Sequence, residues 1–146
     1  MRYSELKQTA IYDLSHYHYL KSSLDTLPQE IHLLQNSSLY SSPSSGMAVM
    51  SSISTDDRIA KHISRIEELE NQLKNNTVKL GNINLALSAL RQPQREILFS
   101  YYINRQRKAV NRLAIDTHTD RSALYRRANR ALDKYILAYF GTLGDK

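Results

Sequence analysis

Two heptad seams constrain the fold more than any other feature of the chain. Between residues 3 and 34 the apolar side chains of Tyr3, Leu6, Ala10, Tyr17, Leu20, Leu24, Leu27, Ile31 and Leu34 recur at intervals of three and four, with Asp13 the one interruption. Ile59, His62, Ile66, Leu69, Leu73, Asn76, Leu80, Ile83, Leu87 and Leu90 then repeat the pattern over five heptads. A 3.5-residue repeat places its members along one side of an α-helix, and such a stripe buries little until it meets another. The first seam predicts one helix, bent at Pro28, where the ring crowds the turn and cannot donate to the Leu24 carbonyl. The second predicts a helix capped by Thr55, with Asp56 and Asp57 in its dipole-favoured first turn and its end near Arg91. At ~1.5 Å per residue each helix is about 50 Å long, so the two can lie antiparallel.

The stretch joining them, residues 36–55 ("NSSLYSSPSSGMAVMSSIST"), holds nine serines with Pro43 and Gly46 and has no period. It reads as a flexible connection. Asn76 on the second seam reads as a register-setting polar residue and His62 as a packed imidazole, while His16 and His18, two residues apart, point to different sides of a helix. No metal site and no cofactor are predicted. The chain has no cysteine, which removes thiolate metal sites and thiol nucleophiles. Neither a Gly-rich phosphate loop nor a nucleophile–base constellation is present, so the chain is not read as an enzyme. It has no signal-peptide-like start and no run of eighteen apolar residues, from which a cytoplasmic protein without membrane contact is expected.

The net charge of +6 is unevenly spread. Residues 1–90 carry 8 Lys/Arg against 9 Asp/Glu, whereas residues 91–146 carry 12 against 5. That contrast divides the chain into a helical hairpin or coiled-coil region, 1–90, and a basic domain, 91–146, whose field attracts a polyanion.

The basic domain reads as three helices. "QREILFSYYI" follows Pro93 with Ile97, Leu98, Tyr101 and Tyr102 inward; "KAVNRLAID" turns Val110, Leu113 and Ala114 inward. "THT" makes the turn, Asp120 caps a long helix, and Gly141 ends it. On that last helix Leu124, Ala128, Ala131, Leu132 and Tyr135 form the inner face. Three helices with a short turn before the last are a helix-turn-helix pattern. Arg121, Ser122, Tyr125, Arg126 and Asn129 then occupy the face that a recognition helix offers to base edges. Arg127 and Arg130 on its flanks, with Arg105, Arg107, Lys108 and Arg112 before the turn, are candidates for phosphate contact.

The segments "LRQPQREILFSYYI" and "AVNRLAIDTHTDRSALYRRANRALDKY" resemble region four of bacterial sigma factors, and more closely the late-transcription regulators of the ArpU and RinA type in phages and prophages. The resemblance implies a regulator of phage gene transcription in a bacterial host, with Arg121, Ser122, Tyr125 and Arg126 facing DNA. His118 stands where that motif usually has glycine, which requires a left-handed backbone there, and Arg127 stands at an inward aliphatic position. The expected architecture is all-α, a long N-terminal helical hairpin followed by a three-helix DNA-binding domain. Duplex DNA is the expected partner, with self-association or an RNA polymerase contact through the N-terminal helices. Two other functions fit the same features. A phage small terminase subunit would form a ring of eight or more chains; a helical interaction module acting as inhibitor or adaptor would bind an acidic protein and not duplex DNA.

Overall fold

The computed structural model describes residues 1–37, 55–105 and 107–146. Most of the Ser-rich connection, residues 38–54, lies outside them, as do the side chains of Arg107 and Ala109. The fold is all-α: α1 (Tyr3–Ser15), α2 (Tyr17–Gln35), α3 (Thr55–Ser88), α4 (Gln92–Leu98), a π-helical turn (Phe99–Ile103), α5 (Arg107–Asp116) and α6 (Arg121–Phe140). Among the described residues there is no strand, and no helix is long and apolar enough to cross a membrane.

The first seam forms two helices rather than one. The interruption falls at His16 (φ −101°, ψ 9°), while α2 runs through Pro28. Local competition for one acceptor accounts for the position. The Tyr12 carbonyl lies 3.0 Å from the His16 amide, 2.8 Å from the Ser15 hydroxyl and 2.8 Å from His16 Nδ1, so side chains draw the ladder off its regular course. At the far end of the second seam, α3 stops at Ser88, three residues before the predicted end. Thr55 is the first residue of α3 rather than its cap, with Asp56 and Asp57 in the first turn as expected.

The compact units do not divide at residue 90. Unit 1 comprises Met1–Lys21 and Val78–Lys146, and unit 2 comprises Ser22–Thr77. The reason lies in what the seams pack against. In unit 1, Leu6, Ala10 and Leu14 of α1 and Ile83, Ala86 and Leu87 of α3 share one core with Ile97, Leu98, Leu124, Ala128, Leu132 and Ile136. The ends of both seams thus complete the core of the basic domain, which its short helices could not close alone. Asp13, the odd residue of the first seam, is 2% exposed in this core and meets Lys79 Nζ at 3.0 Å. The Tyr135 hydroxyl is buried without a hydrogen-bond partner among the described residues. Burial pushes that phenol well above its usual range, and the Asp13 charge pushes it further.

The residues after α6 return to α1. The Tyr3 amide donates to the Asp145 carbonyl at 2.9 Å, and Gly144, at φ +70°, lets the backbone pass where a Cβ would come within 2.5 Å of the Met1 carbonyl oxygen.

Unit 2 has a smaller core of Leu27, Ile31 and Leu69, with Leu34, Ile66 and Leu73 packed against it. Its contacts run in opposite chain directions: Asn76 Nδ2 donates to Ser23 Oγ at 3.0 Å, and Arg65 reaches Glu30 at 3.5 Å. Asn76 therefore has a polar partner across the seam.

Candidate nucleic-acid interface

The turn between α5 and α6 is closed by backbone hydrogen bonds, with the Thr117 hydroxyl donating to the Leu113 carbonyl at 2.6 Å and the Thr119 hydroxyl to the Thr117 carbonyl at 3.0 Å. The amides of Thr117, His118 and Thr119 donate to the carbonyls of Leu113, Ile115 and Ala114 at 3.0, 3.2 and 2.9 Å, which closes the end of α5. His118 adopts φ +51°, the left-handed conformation expected for it from the sequence. Asp120 is extended and accepts from the Ala123 amide at 2.7 Å, so α6 starts with a satisfied cap; it ends at Gly141, φ +77°.

That start fixes which face of α6 looks outward. Leu124, Ala128, Ala131, Leu132, Tyr135 and Ile136 are buried. Arg121, Ser122, Tyr125 and Arg126 are exposed, and Asn129 is half-buried. Arg121 donates to Asn111 Oδ1 on α5. Arg126 makes no hydrogen bond or ion pair among the described residues, which leaves all its donors for a ligand.

The residues assigned to phosphate separate into two groups. Arg105, Lys108 and Arg112 are exposed before and along α5, and the Arg107 side chain lies outside the described residues. Arg127 and Arg130, on the other side, line a cleft of about 250 Å³ with Pro93, Gln94, Glu96, Ile97, Leu113, Thr117, Leu124 and Ala131. Arg127 donates to Thr119 Oγ1 at 3.3 Å. Arg127 is exposed at the cleft rim, so its guanidinium stays outside the core. Arg126 does not line this cleft, so it and Arg130 have different neighbours although they are four residues apart on one helix.

Charge follows the units more sharply than it follows the sequence halves. Unit 1 carries 16 Lys/Arg against 7 Asp/Glu and unit 2 carries 4 against 7, net charges of +9 and −3. Among the described residues no group of acidic or histidine side chains could hold a metal ion.

Sequence reasoning missed one part of this surface. Tyr101 and Tyr102, expected as inward residues of a helix, do pack half-buried against the core of unit 1, and the π-helical turn, closed by the Asn104 amide on the Phe99 carbonyl at 2.6 Å, also sets Tyr101 beside Tyr125 of α6. The Tyr101 ring lies 5.4 Å from Tyr102 and 6.3 Å from Tyr125. Burial pushes the Tyr102 phenol up to about 12.

No family model, no curated protein and no solved structure matches the chain.

Proposed function

We propose that unit 1 is a helix-turn-helix module that binds duplex DNA in a sequence-specific manner, and that the protein is a transcription regulator. The observation that carries this reading is the outer face of α6. An exposed row of Arg121, Ser122, Tyr125 and Arg126 directly follows a capped turn, in a unit with a net charge of +9. A helix so presented matches the width of the major groove, and its arginines carry the fork of donors that pairs with guanine. Arg105, Lys108, Arg112, Arg127 and Arg130 on its flanks supply phosphate contacts. The α2 and α3 segments of unit 2 form a helical hairpin whose net negative charge disfavours DNA contact, and we assign it to self-association or to a contact with RNA polymerase. One such module buries only about 600–1,000 Å² of protein surface on DNA, so a second module or a partner is needed for tight specific binding.

Selection of bound sequences from a random duplex pool by the full chain, with affinity measured against salt, tests the reading. An enriched motif and a slope of log affinity against log salt of about −4 to −5 for each module engaged, equivalent to four to six phosphate contacts per module, are expected. No enrichment together with a slope near zero would overturn it.

A further inference from the structure

Tyr101 of the π-helical turn pairs with Tyr102 and with Tyr125 of α6, and Tyr3 at the start of α1 reaches Asp133 of the same helix. Three of them are occupied structurally. The Tyr3 hydroxyl donates to Asp133 Oδ1 at 2.5 Å, Tyr102 is partly buried, and Tyr101 packs between Tyr102 and Tyr125. Tyr125 is different. It is 51% exposed, and its hydroxyl makes no hydrogen bond among the described residues. Arg121 stands one turn before it and Arg126 directly after it, both exposed.

An exposed aromatic ring paired with a second ring, on a helix turn that also carries two exposed arginines, has the components of a stacking site for a nucleotide. Bases stack on such rings irrespective of sequence, because each has a π face, and cations beside the ring meet the phosphates that flank the base. The packing of Tyr101 against Tyr125 limits the freedom the ring would lose on binding. Within a duplex the base faces are hidden by their neighbours. Only a base out of the stack can offer one.

We infer that Tyr125, paired with Tyr101 and sharing its helix turn with Arg121 and Arg126, is a stacking platform for an unpaired base in DNA. The inference rests on the nucleic-acid reading above and extends it from edge readout in the groove to recognition of a locally opened strand. Single-base stacking of this kind gives a preference of about tenfold for DNA that already carries an extrahelical base.

The test uses the full chain and two duplexes of one sequence. One is fully paired and the other carries a single unpaired aminopurine, whose fluorescence is quenched by stacking. The bulged duplex is expected to bind about tenfold more tightly, with quenching on binding. In Tyr125→Leu the ratio of the two affinities should fall to about one and the quenching should disappear, while Tyr125→Phe should keep both. Equal affinity for the two duplexes in the wild-type chain, with a steep salt dependence retained, would overturn the stacking site and leave the duplex-binding reading standing. Loss of the preference in Tyr125→Phe as well as Tyr125→Leu would overturn stacking in favour of a contact through the hydroxyl. A chain that binds neither duplex overturns both readings.

Discussion

Replacing Lys79 by methionine, with Asp13 left in place, strands a carboxylate in the core of unit 1. The Asp13 side chain is 3% exposed, and Lys79, its ion-pair partner at 3.0 Å, is 42% exposed. Deleting one partner of a fully buried pair costs about 3–5 kcal/mol, because the remaining charge has neither water nor a counterion. Lys79 keeps partial contact with water, which weakens the pair in the wild type, so a loss of about 2 kcal/mol is expected for Lys79→Met. For a unit of this size that lowers Tm by roughly 10 °C, from about 4–8 °C for each kcal/mol. The reverse substitution has a different consequence. Asp13→Leu removes the buried charge and leaves an ammonium on a flexible stem that can turn to solvent, so it should cost less than about 1 kcal/mol. The double variant should resemble Asp13→Leu, giving a coupling energy of at least about 1.5 kcal/mol in a double-mutant cycle. Urea denaturation of the four proteins supplies these values. If Lys79→Met unfolds within about 0.5 kcal/mol of the wild type, or if Asp13→Leu is the more damaging change, the burial of an ionised Asp13 beside Lys79 is wrong.

Three further outcomes follow from local geometry. Gly81→Ala should raise stability by about 0.5–1 kcal/mol, since a Cβ there meets open space within α3, whereas Gly144→Ala, which meets the Met1 carbonyl at φ +70°, should release the C-terminal residues and speed hydrogen exchange at the Tyr3 amide at least about tenfold. The same sign in urea denaturation for both would contradict the assigned backbone. Asp120→Ala should cost about 1 kcal/mol, and Asp120→Asn much less, because the asparagine oxygen can still accept from the Ala123 amide; equal losses would refute the cap. The phenols of Tyr3 and Tyr102 are both raised from 10.0 to about 12, the first chiefly by its hydrogen bond to Asp133 and the second by burial. Their contribution is fully present below pH 10, where both states are protonated, and is lost as pH rises toward 12, where the unfolded chain ionises first. Phenolate absorbance against pH should therefore leave three tyrosines titrating late, Tyr3 and Tyr102 about two units late and Tyr135 later still, and Tyr102→Phe should remove one; a single common titration at 10 would contradict the burial.

Local signals were the legible ones. Asp120, His118 and Gly141 each act within a few residues, so their chemistry determines the turn and the two ends of α6 wherever the rest of the chain goes. Both seams were legible as helical stripes, since every position from Tyr3 to Leu34 and from Ile59 to Leu90 on those stripes is buried or half-buried. Their partners were not. A heptad records that a face must be covered and says nothing of what covers it, so Ile83 and Leu87 read as coiled-coil positions although they belong to the unit 1 core that also holds Leu124 and Leu132. Asp13 read as a flaw in the seam because its partner, Lys79, is remote in sequence. The helix break at His16 depends on two side chains competing for the Tyr12 carbonyl, and the π-helical turn on one extra residue per turn; neither changes the apolar pattern. On the outer face of α6 the exposed positions Arg121, Ser122, Tyr125 and Arg126 were legible by subtraction once the inner face was known, whereas the pairing of Tyr101 with Tyr125 needed the π-helical turn and α6 brought together.

The most direct measurement on the central claim compares Arg126→Ala with Arg130→Ala, each binding its selected duplex and a random one across a range of salt. Arg126 has unengaged donors on the outer face, while Arg130 lies with Arg127 at the α4 side. Arg126→Ala should cost about 1–3 kcal/mol on the selected duplex and relax preference at one or two base positions, and Arg126→Lys should restore it only in part, because an ammonium lacks the planar fork. Arg130→Ala should weaken both duplexes alike and make the salt slope about one unit shallower. Equal factors of loss on the selected and random duplexes for both variants would mean that α6 presents a basic surface without reading sequence, and would contradict the account.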